Sequence, residues 1–169
     1  MTYEEVLALS PFGVARAEKQ ELLRAGLLRL TEHHRARCAP YARMMETIGF
    51  STADVHSVEN VPFLPVRLFK ELELRSVAEE DVFKTMTSSG TTGQQVSKIF
   101  LDRATATNQQ KTLVRIVSDR TGKSRMPMLI IDCPSVIQNR AMFSARGAGI
   151  LGFSIFGRKK LYALNDAME

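Results

Sequence analysis

The sequence feature that most constrains the fold is a stretch of serine, threonine and glycine between two short β-rich segments. The segments read VFKTMTSS and VSKIFLD, and the stretch at residues 87–94, which overlaps the end of the first segment, reads TSSGTTGQ. Threonine, valine, isoleucine and phenylalanine favour extended strands, whereas glycine and serine favour turns. The pattern therefore predicts two strands that are joined by a loop at residues 89–95.

The composition of this loop suits the binding of a polyphosphate. Glycine lets the backbone approach an anion closely, while hydroxyl groups and successive backbone N–H groups donate hydrogen bonds to it. A lysine that follows the loop supplies positive charge. The predicted phosphate-binding residues are Ser88, Ser89, Gly90, Thr91, Thr92, Gly93 and Lys98. An ordinary polar turn is the alternative interpretation, because turns are rich in the same residue types.

The loop does not have the pattern of a Walker nucleotide-binding loop. That motif places four residues between its two glycines and a lysine directly after the second one, and Gly90 and Gly93 are too close together for this. Residues 122–124, Gly-Lys-Ser, have the correct ending, but Val117 stands where the first glycine should be. We interpret this second segment as the end of a helix.

The amino-terminal third of the chain is predicted to be helical. Three leucines before Pro40 recur at the spacing of one helical face, with charged residues between them: Leu23, Leu27 and Leu30. Pro40 ends this helix, and a second short helix follows and stops at Gly49. The prolines at 62 and 65 indicate an extended connector after that.

The rest of the chain combines helical patterns with strands. Residues 103–121 have a helical pattern, residues 127–132 (PMLIID) form an apolar run typical of a buried parallel strand, and residues 140–157 are predicted to be helical. The predicted fold class is α/β, with amino-terminal helices followed by a partial, mostly parallel sheet. We predict one region over residues 1–169, helical over 1–60 and α/β over 61–169.

Composition and charge exclude several classes of protein. No apolar run approaches the roughly 18 residues of a membrane span, and Glu4 and Glu5 replace the basic start of a signal peptide, so we expect a cytoplasmic protein. The net charge is +5, and residues 103–160 hold 11 Lys and Arg against 2 acidic residues. These basic residues are dispersed and accompany no nucleic-acid-binding motif, so we predict no nucleic-acid partner.

Other chemically capable residues each have a simpler interpretation. His33, His34 and Cys38 lack the spacing of a metal site, and we predict no metal-ligating residues in this chain. Cys133 is expected to be a structural thiol, because nothing basic near it in the sequence would lower its pKa. Arg140 and Arg146 could bind a carboxylate or a phosphate, with pairing at the surface as the favoured alternative.

The loop and its surroundings resemble a known family. The block TSSGTTGQ followed by a lysine resembles the phosphate-binding signature of adenylate-forming enzymes, which include acyl-CoA synthetases. The surrounding segments resemble the LuxE type, the acyl-protein synthetases of bacterial luminescence. These segments are HH…CAPYARMMETIGF, VPFLPVRLFKELELRS, FKTMTSSGTTGQ with SKIFLD, and LIIDCP. The resemblance covers the chain from about residue 10 to its end, and it implies the first part of the large α/β domain of that superfamily.

The resemblance implies an activity, cofactors and partners. It implies ATP and Mg²⁺, activation of a fatty carboxylate as an acyl adenylate, transfer of the acyl group to a protein cysteine, and an acyl reductase as a possible partner subunit. The family's catalytic lysine, adenine-binding segments and acyl-accepting cysteine have no match here and are expected downstream. The chain alone is therefore expected to form no acyl adenylate. There are two alternatives: a fragment of a phenylacetate-type CoA ligase, or a non-catalytic fragment that binds nucleotide or a partner.

Overall fold

A computed structural model of the chain describes residues 2–88, 95–138 and 145–169, which form two compact units, Met1–Val82 and Phe83–Glu169. The helices of these residues are α1 (Tyr3–Ala8), α2 (Arg16–Arg37), α3 (Ala39–Thr47), α4 (Leu68–Glu71), α5 (Arg103–Thr121) and α6 (Ala145–Phe153). The strands are β1 (Lys84–Thr87), β2 (Lys98–Leu101), β3 (Met126–Ile130) and β4 (Gly157–Tyr162). Residues 61–82 thus group with the helices of the amino-terminal unit.

Two consecutive helices organise the amino-terminal unit. Only Cys38 separates α2 from α3, and Pro40 lies in the first turn of α3, where its missing N–H and fixed φ are tolerated. Gly49 follows α3 with a φ of 64°, a left-handed conformation that glycine adopts without strain. Both predicted helices, and the break that Pro40 makes between them, are confirmed.

A small core lies where these helices meet the loop that follows them. Met45 is 1% exposed, and Cys38 and Val55 are each 3% exposed. Arg24 on α2 donates a hydrogen bond from Nη1 to the backbone oxygen of Val55 at 3.2 Å. This bond ties the long helix to the loop and satisfies a carbonyl group beside the core.

The predicted leucine face of α2 is only partly covered. Leu23 is 48% exposed and Leu30 is 53% exposed. A helix of 22 residues extends about 33 Å, whereas α3, which packs on it within this unit, has nine residues. The shorter helix cannot cover the whole stripe, so two of its leucines keep about half of their surface in contact with solvent.

His34 gives this unit a dependence on pH. Its Nδ1 lies 2.7 Å from the hydroxyl oxygen of Ser76, and its ring makes an edge contact with Tyr41 at a centroid distance of 5.9 Å. Burial lowers the pKa of His34, and the adjacent His33 lowers that pKa further. The folded state therefore favours the neutral ring more strongly than the unfolded chain does.

We expect the stability of this unit to fall when the pH drops below about 6.5, the ordinary pKa of histidine. Because the folded pKa is lowered, the unfolded state binds the proton more readily, and the stabilisation is complete only above the unfolded pKa. Urea titrations between about pH 5.5 and 7.5 would measure this dependence. His34→Gln should weaken it and the exposed His56→Gln should leave it unchanged; an unaltered profile in His34→Gln would contradict the assignment.

The carboxy-terminal unit begins with an antiparallel hairpin. Strand β1 pairs with β2, with Lys84 opposite Leu101 and Thr87 opposite Lys98. Helix α5 follows β2 directly, and its amino-terminal cap is Asp102, whose carboxylate accepts a hydrogen bond from the backbone N–H of Thr105 at 2.6 Å. The two predicted strands and the predicted helix over 103–121 are confirmed.

The second pair of strands is parallel, as predicted for residues 127–132. The predicted strand, β3, is however not fully buried. Strand β3 pairs with β4, yet Leu129 is 65% exposed and Ile131 is 82% exposed, while Ile130 is only 7% exposed. The expectation of full burial is wrong because side chains of a strand alternate between its two faces, and one face of this pair is uncovered within the unit. Strand β4 itself, GRKKLY, was not predicted.

The α/β fold class is confirmed. Among the described residues the strands divide into two separate sheets of two strands, of which β1–β2 is antiparallel and β3–β4 is parallel. Helix α6 confirms the helical prediction for residues 145–153, whereas residues 140–144 lie outside the described part. In this part of the chain no helix is long and apolar enough to span a membrane.

Candidate functional site

The hairpin brings the two ends of the candidate phosphate-binding loop together. Beyond the last strand pair, the backbone N–H of Ser88 donates to the backbone oxygen of Ser97 at 3.2 Å. The backbone N–H of Ser97 donates in return to the hydroxyl oxygen of Ser88 at 3.0 Å. These two bonds close the loop at its base, which we call the loop neck and define as Ser88 with Ser97.

Ser88 has a structural role that the sequence did not indicate. Its hydroxyl oxygen accepts the hydrogen bond from Ser97, which is only 7% exposed, while Ser88 itself lies at the surface. A hydroxyl group that accepts one bond still carries a hydrogen to donate. Ser88 can therefore close the neck and at the same time offer a donor to a ligand held by the loop.

The central residues predicted to bind phosphate lie outside the described part of the chain. They are Ser89, Gly90, Thr91, Thr92 and Gly93. Of the two predicted residues that flank them, Ser88 directly follows β1 and Lys98 is the first residue of β2. The assignment of the loop to phosphate binding stays a prediction.

Lys98 is the first residue of β2 and is exposed. It lies directly opposite Thr87, so the two side chains project from the same face of the hairpin. Met86 and Leu101 belong to the other face, because successive strand residues alternate between faces. The lysine thus stands beside the loop neck, on the outer face of the hairpin.

The amino terminus of helix α5 lies at the end of β2 that is remote from the loop neck. The loop neck lies at the start of β2, whereas α5 begins after its end at Leu101. A strand rises about 3.4 Å per residue, so Lys98 and Leu101, the two ends of β2, are roughly 10 Å apart. The backbone N–H of Thr105, in the first turn of α5, already donates a hydrogen bond to the carboxylate of Asp102.

The inner face of the hairpin lines a groove of about 470 Å³. Helices α5 and α6 form its other walls, and they approach closely where a Cβ on Gly152 would lie 3.2 Å from Cδ2 of Leu113. The apolar lining includes Met86, Leu101, Leu113 and Leu151, and the polar lining includes Thr107, Gln109 and Gln110. A groove with apolar walls and polar groups at its margin suits an amphiphilic ligand.

Sequence reasoning did not identify the partner of Arg146. Its Nε lies 3.0 Å from Oδ2 of Asp132. Arg146 is exposed, as expected for a surface pair, but the side chain of Asp132 is only 5% exposed. Arg140 lies outside the described residues. The sequence did contain a signal, an aspartate directly after the apolar run of β3. A carboxylate that is buried at such a position requires a partner of opposite charge.

The cysteines of the described residues are free and buried. The thiol of Cys133 lies 3.1 Å from the hydroxyl of Ser135, which is consistent with the predicted structural role. Within residues 2–88, 95–138 and 145–169, no group of three or more His, Cys, Asp or Glu side chains is placed to hold a metal ion.

Comparison with known proteins places the chain in a family. No curated protein matches it. The family model for LuxE, described as acyl-protein synthetase, matches residues 2–167, which is nearly the whole chain and includes both compact units. The chain therefore belongs to the LuxE family of acyl-protein synthetases.

Proposed function

We propose that this chain takes part in the ATP-dependent activation of a fatty acid and its transfer to a protein cysteine. The single observation that carries the proposal is the family match over residues 2–167, which spans the serine-, threonine- and glycine-rich loop and the hairpin that closes it. The loop neck and Lys98 support a phosphate-binding role for this loop. An acyl reductase as partner subunit and a cytoplasmic location belong to the same proposal.

The proposed reaction has two steps. In the first, a carboxylate oxygen of the fatty acid attacks the α-phosphorus of ATP, the bond from this phosphorus to the bridging oxygen breaks, and pyrophosphate leaves with the electron pair. In the second, a cysteine that has lost its thiol proton attacks the carbonyl carbon of the acyl adenylate. A thioester forms and AMP leaves. The accepting cysteine is not assigned to this chain.

The loop is proposed to act on the first step. Pyrophosphate gains charge as it leaves, and hydrogen-bond donors fixed in advance around it lower the barrier. The donors would be the hydroxyl of Ser88, those of the loop residues up to Gly93, their backbone N–H groups and the ammonium group of Lys98. Bound Mg²⁺ would neutralise phosphate oxygens. Residues 84–101 contain no Asp or Glu, so this segment offers the metal no carboxylate ligand.

Binding measurements with the 169-residue chain test the proposed role of the loop. We expect Mg-pyrophosphate and MgATP to bind with similar affinity in calorimetric titrations, and adenosine to bind more weakly than either. The physical reason is that the proposed contacts are all to phosphate groups and charge-assisted hydrogen bonds dominate them.

The controls separate a phosphate loop from general attraction by a basic protein. Lys98→Ala should weaken pyrophosphate binding, whereas Lys159→Ala, which removes the same charge from an exposed position on β4, should not. Equal losses in both variants, or ATP binding no tighter than adenosine binding, would contradict the proposal.

A further inference from the structure

A buried carboxylate and an exposed guanidinium meet at the carboxyl end of β3. Asp132 follows this strand, and its Oδ1 accepts a hydrogen bond from the backbone N–H of Cys133 at 2.8 Å. Its Oδ2 lies 3.0 Å from Nε of Arg146. The backbone oxygen of Asp132 accepts a further bond from the N–H of Leu164 at 3.3 Å. One carboxylate oxygen is thus held by a backbone N–H and the other by the guanidinium of Arg146.

Arg146 uses only one of its donor groups in this pair. The ion pair engages Nε, and among the described residues no hydrogen bond is formed by the two terminal amino groups. The side chain of Arg146 is 59% exposed, whereas that of Asp132 is 5% exposed. Asp132 therefore restrains the guanidinium plane from the inside, while its outer donors face solvent.

The ion pair lies at the carboxyl end of β3, beside the described start of α6.

This place is also where parallel strands commonly present ligand sites. In α/β folds, ligands bind outside the carboxyl ends of the parallel strands. Strand β4 ends at the same edge, where the N–H of Ala163 donates to the oxygen of Ile130 at 2.8 Å. The other carboxylate here, that of Asp166, accepts a hydrogen bond from the N–H of Ser135 at 3.1 Å. The described residues at this edge therefore include two carboxylates and the exposed guanidinium of Arg146.

We propose that Arg146 binds an oxyanion of a reactant, either the carboxylate of the acyl substrate or a phosphate of the nucleotide, and that Asp132 positions it. The identity of these two reactants rests on the proposed function. The planar guanidinium presents two terminal amino groups in a fixed geometry that matches two oxygens of a carboxylate or phosphate. With Nε held by Asp132, its outer side remains available for such a pair.

The experiment compares variants of the 169-residue chain for binding of decanoate, decanol and pyrophosphate by calorimetry. Arg146→Gln leaves the buried Asp132 without its cation and is expected to destabilise the fold. The double variant Asp132→Asn with Arg146→Gln replaces the ion pair by two neutral amides and should recover most of the melting temperature. Arg146→Lys keeps the charge and loses the planar donor geometry.

In the double variant we expect one oxyanion to bind about 10- to 100-fold more weakly, while decanol binding stays unchanged. Arg146→Lys should lie between this variant and the wild type. A loss confined to decanoate identifies the carboxylate as the ligand, and a loss confined to pyrophosphate identifies the phosphate.

Unchanged affinity for both oxyanions in a stably folded double variant would overturn the proposal and leave the pair with a structural role only. Absence of decanoate and pyrophosphate binding to the wild type would overturn it as well. The proposed function fails separately, when MgATP binds no more tightly than adenosine. Decanoate that binds through Arg146 would then still support the present inference.

Discussion

Met45→Ala is expected to lower the free energy of unfolding of the amino-terminal unit by about 2 to 5 kcal/mol. Met45 on α3 is 1% exposed and is the largest fully buried side chain of the described residues. Truncation removes apolar atoms from the interior and leaves a cavity that neighbouring side chains fill only in part. Because the core of this unit is small, few other buried groups remain to compensate.

Urea unfolding followed by far-ultraviolet circular dichroism measures this loss, since the longest described helix, α2, belongs to this unit and contributes strongly to the signal. Met44→Ala is the matched control, because the preceding residue has the same side chain and is only half-buried. It should cost clearly less, and Met45→Leu, which nearly conserves volume, should cost less than about 1.5 kcal/mol. Equal losses for Met44→Ala and Met45→Ala would mean that the core does not centre on Met45.

Thr91→Ala is expected to lower kcat for adenylate formation about 30- to 1,000-fold, which corresponds to about 2 to 4 kcal/mol of transition-state stabilisation. The KM for ATP should rise less than kcat falls, because the proposed contact strengthens as pyrophosphate departs. Fatty-acid-dependent exchange of pyrophosphate into ATP measures both constants. The assay uses the protein in a form that shows this exchange activity.

Two comparisons make this prediction specific to the loop. Thr121→Ala removes the same hydroxyl from the exposed end of α5 and should leave kcat unchanged. Lys98→Ala should lower kcat less than Thr91→Ala does, because Lys98 belongs to β2 and its side chain projects from the outer face of the hairpin. An effect within about twofold for Lys98→Ala would restrict the phosphate role to the hydroxyl groups and glycines of the loop. A rise in KM with unchanged kcat for Thr91→Ala would contradict a transition-state role.

The elements predicted correctly from the sequence are those with local signals. Helix α5 begins after a capping aspartate, Asp102, and ends before Gly122, which has a φ of 75°, so both of its boundaries are encoded within a few residues. The hairpin was predicted for the same reason, because β-favouring residues flank a run of turn formers. Helix α2 was predicted from its periodic leucines and the proline that follows it.

The elements that were missed depend on contacts between distant residues. Strand β4 contains three consecutive basic residues, Arg158, Lys159 and Lys160, and lacks the alternation typical of a strand. It is extended because it pairs with β3, some thirty residues earlier in the chain. The pairing of Asp132 with Arg146 has the same origin, since the packing of α6 against the turn at Pro134–Ile137 brings the two side chains together. No local pattern encodes either contact.

The half-exposed leucines of α2 have a thermodynamic consequence. The heat-capacity change of unfolding grows with the apolar surface that becomes newly exposed. Leu23 and Leu30 already contact water over about half of their surface in the folded unit, so unfolding adds less apolar hydration than the length of the helix suggests. The stability curve of this unit is therefore flattened, and its stability varies less with temperature near the maximum of that curve than that of a unit of equal size with a fully covered core.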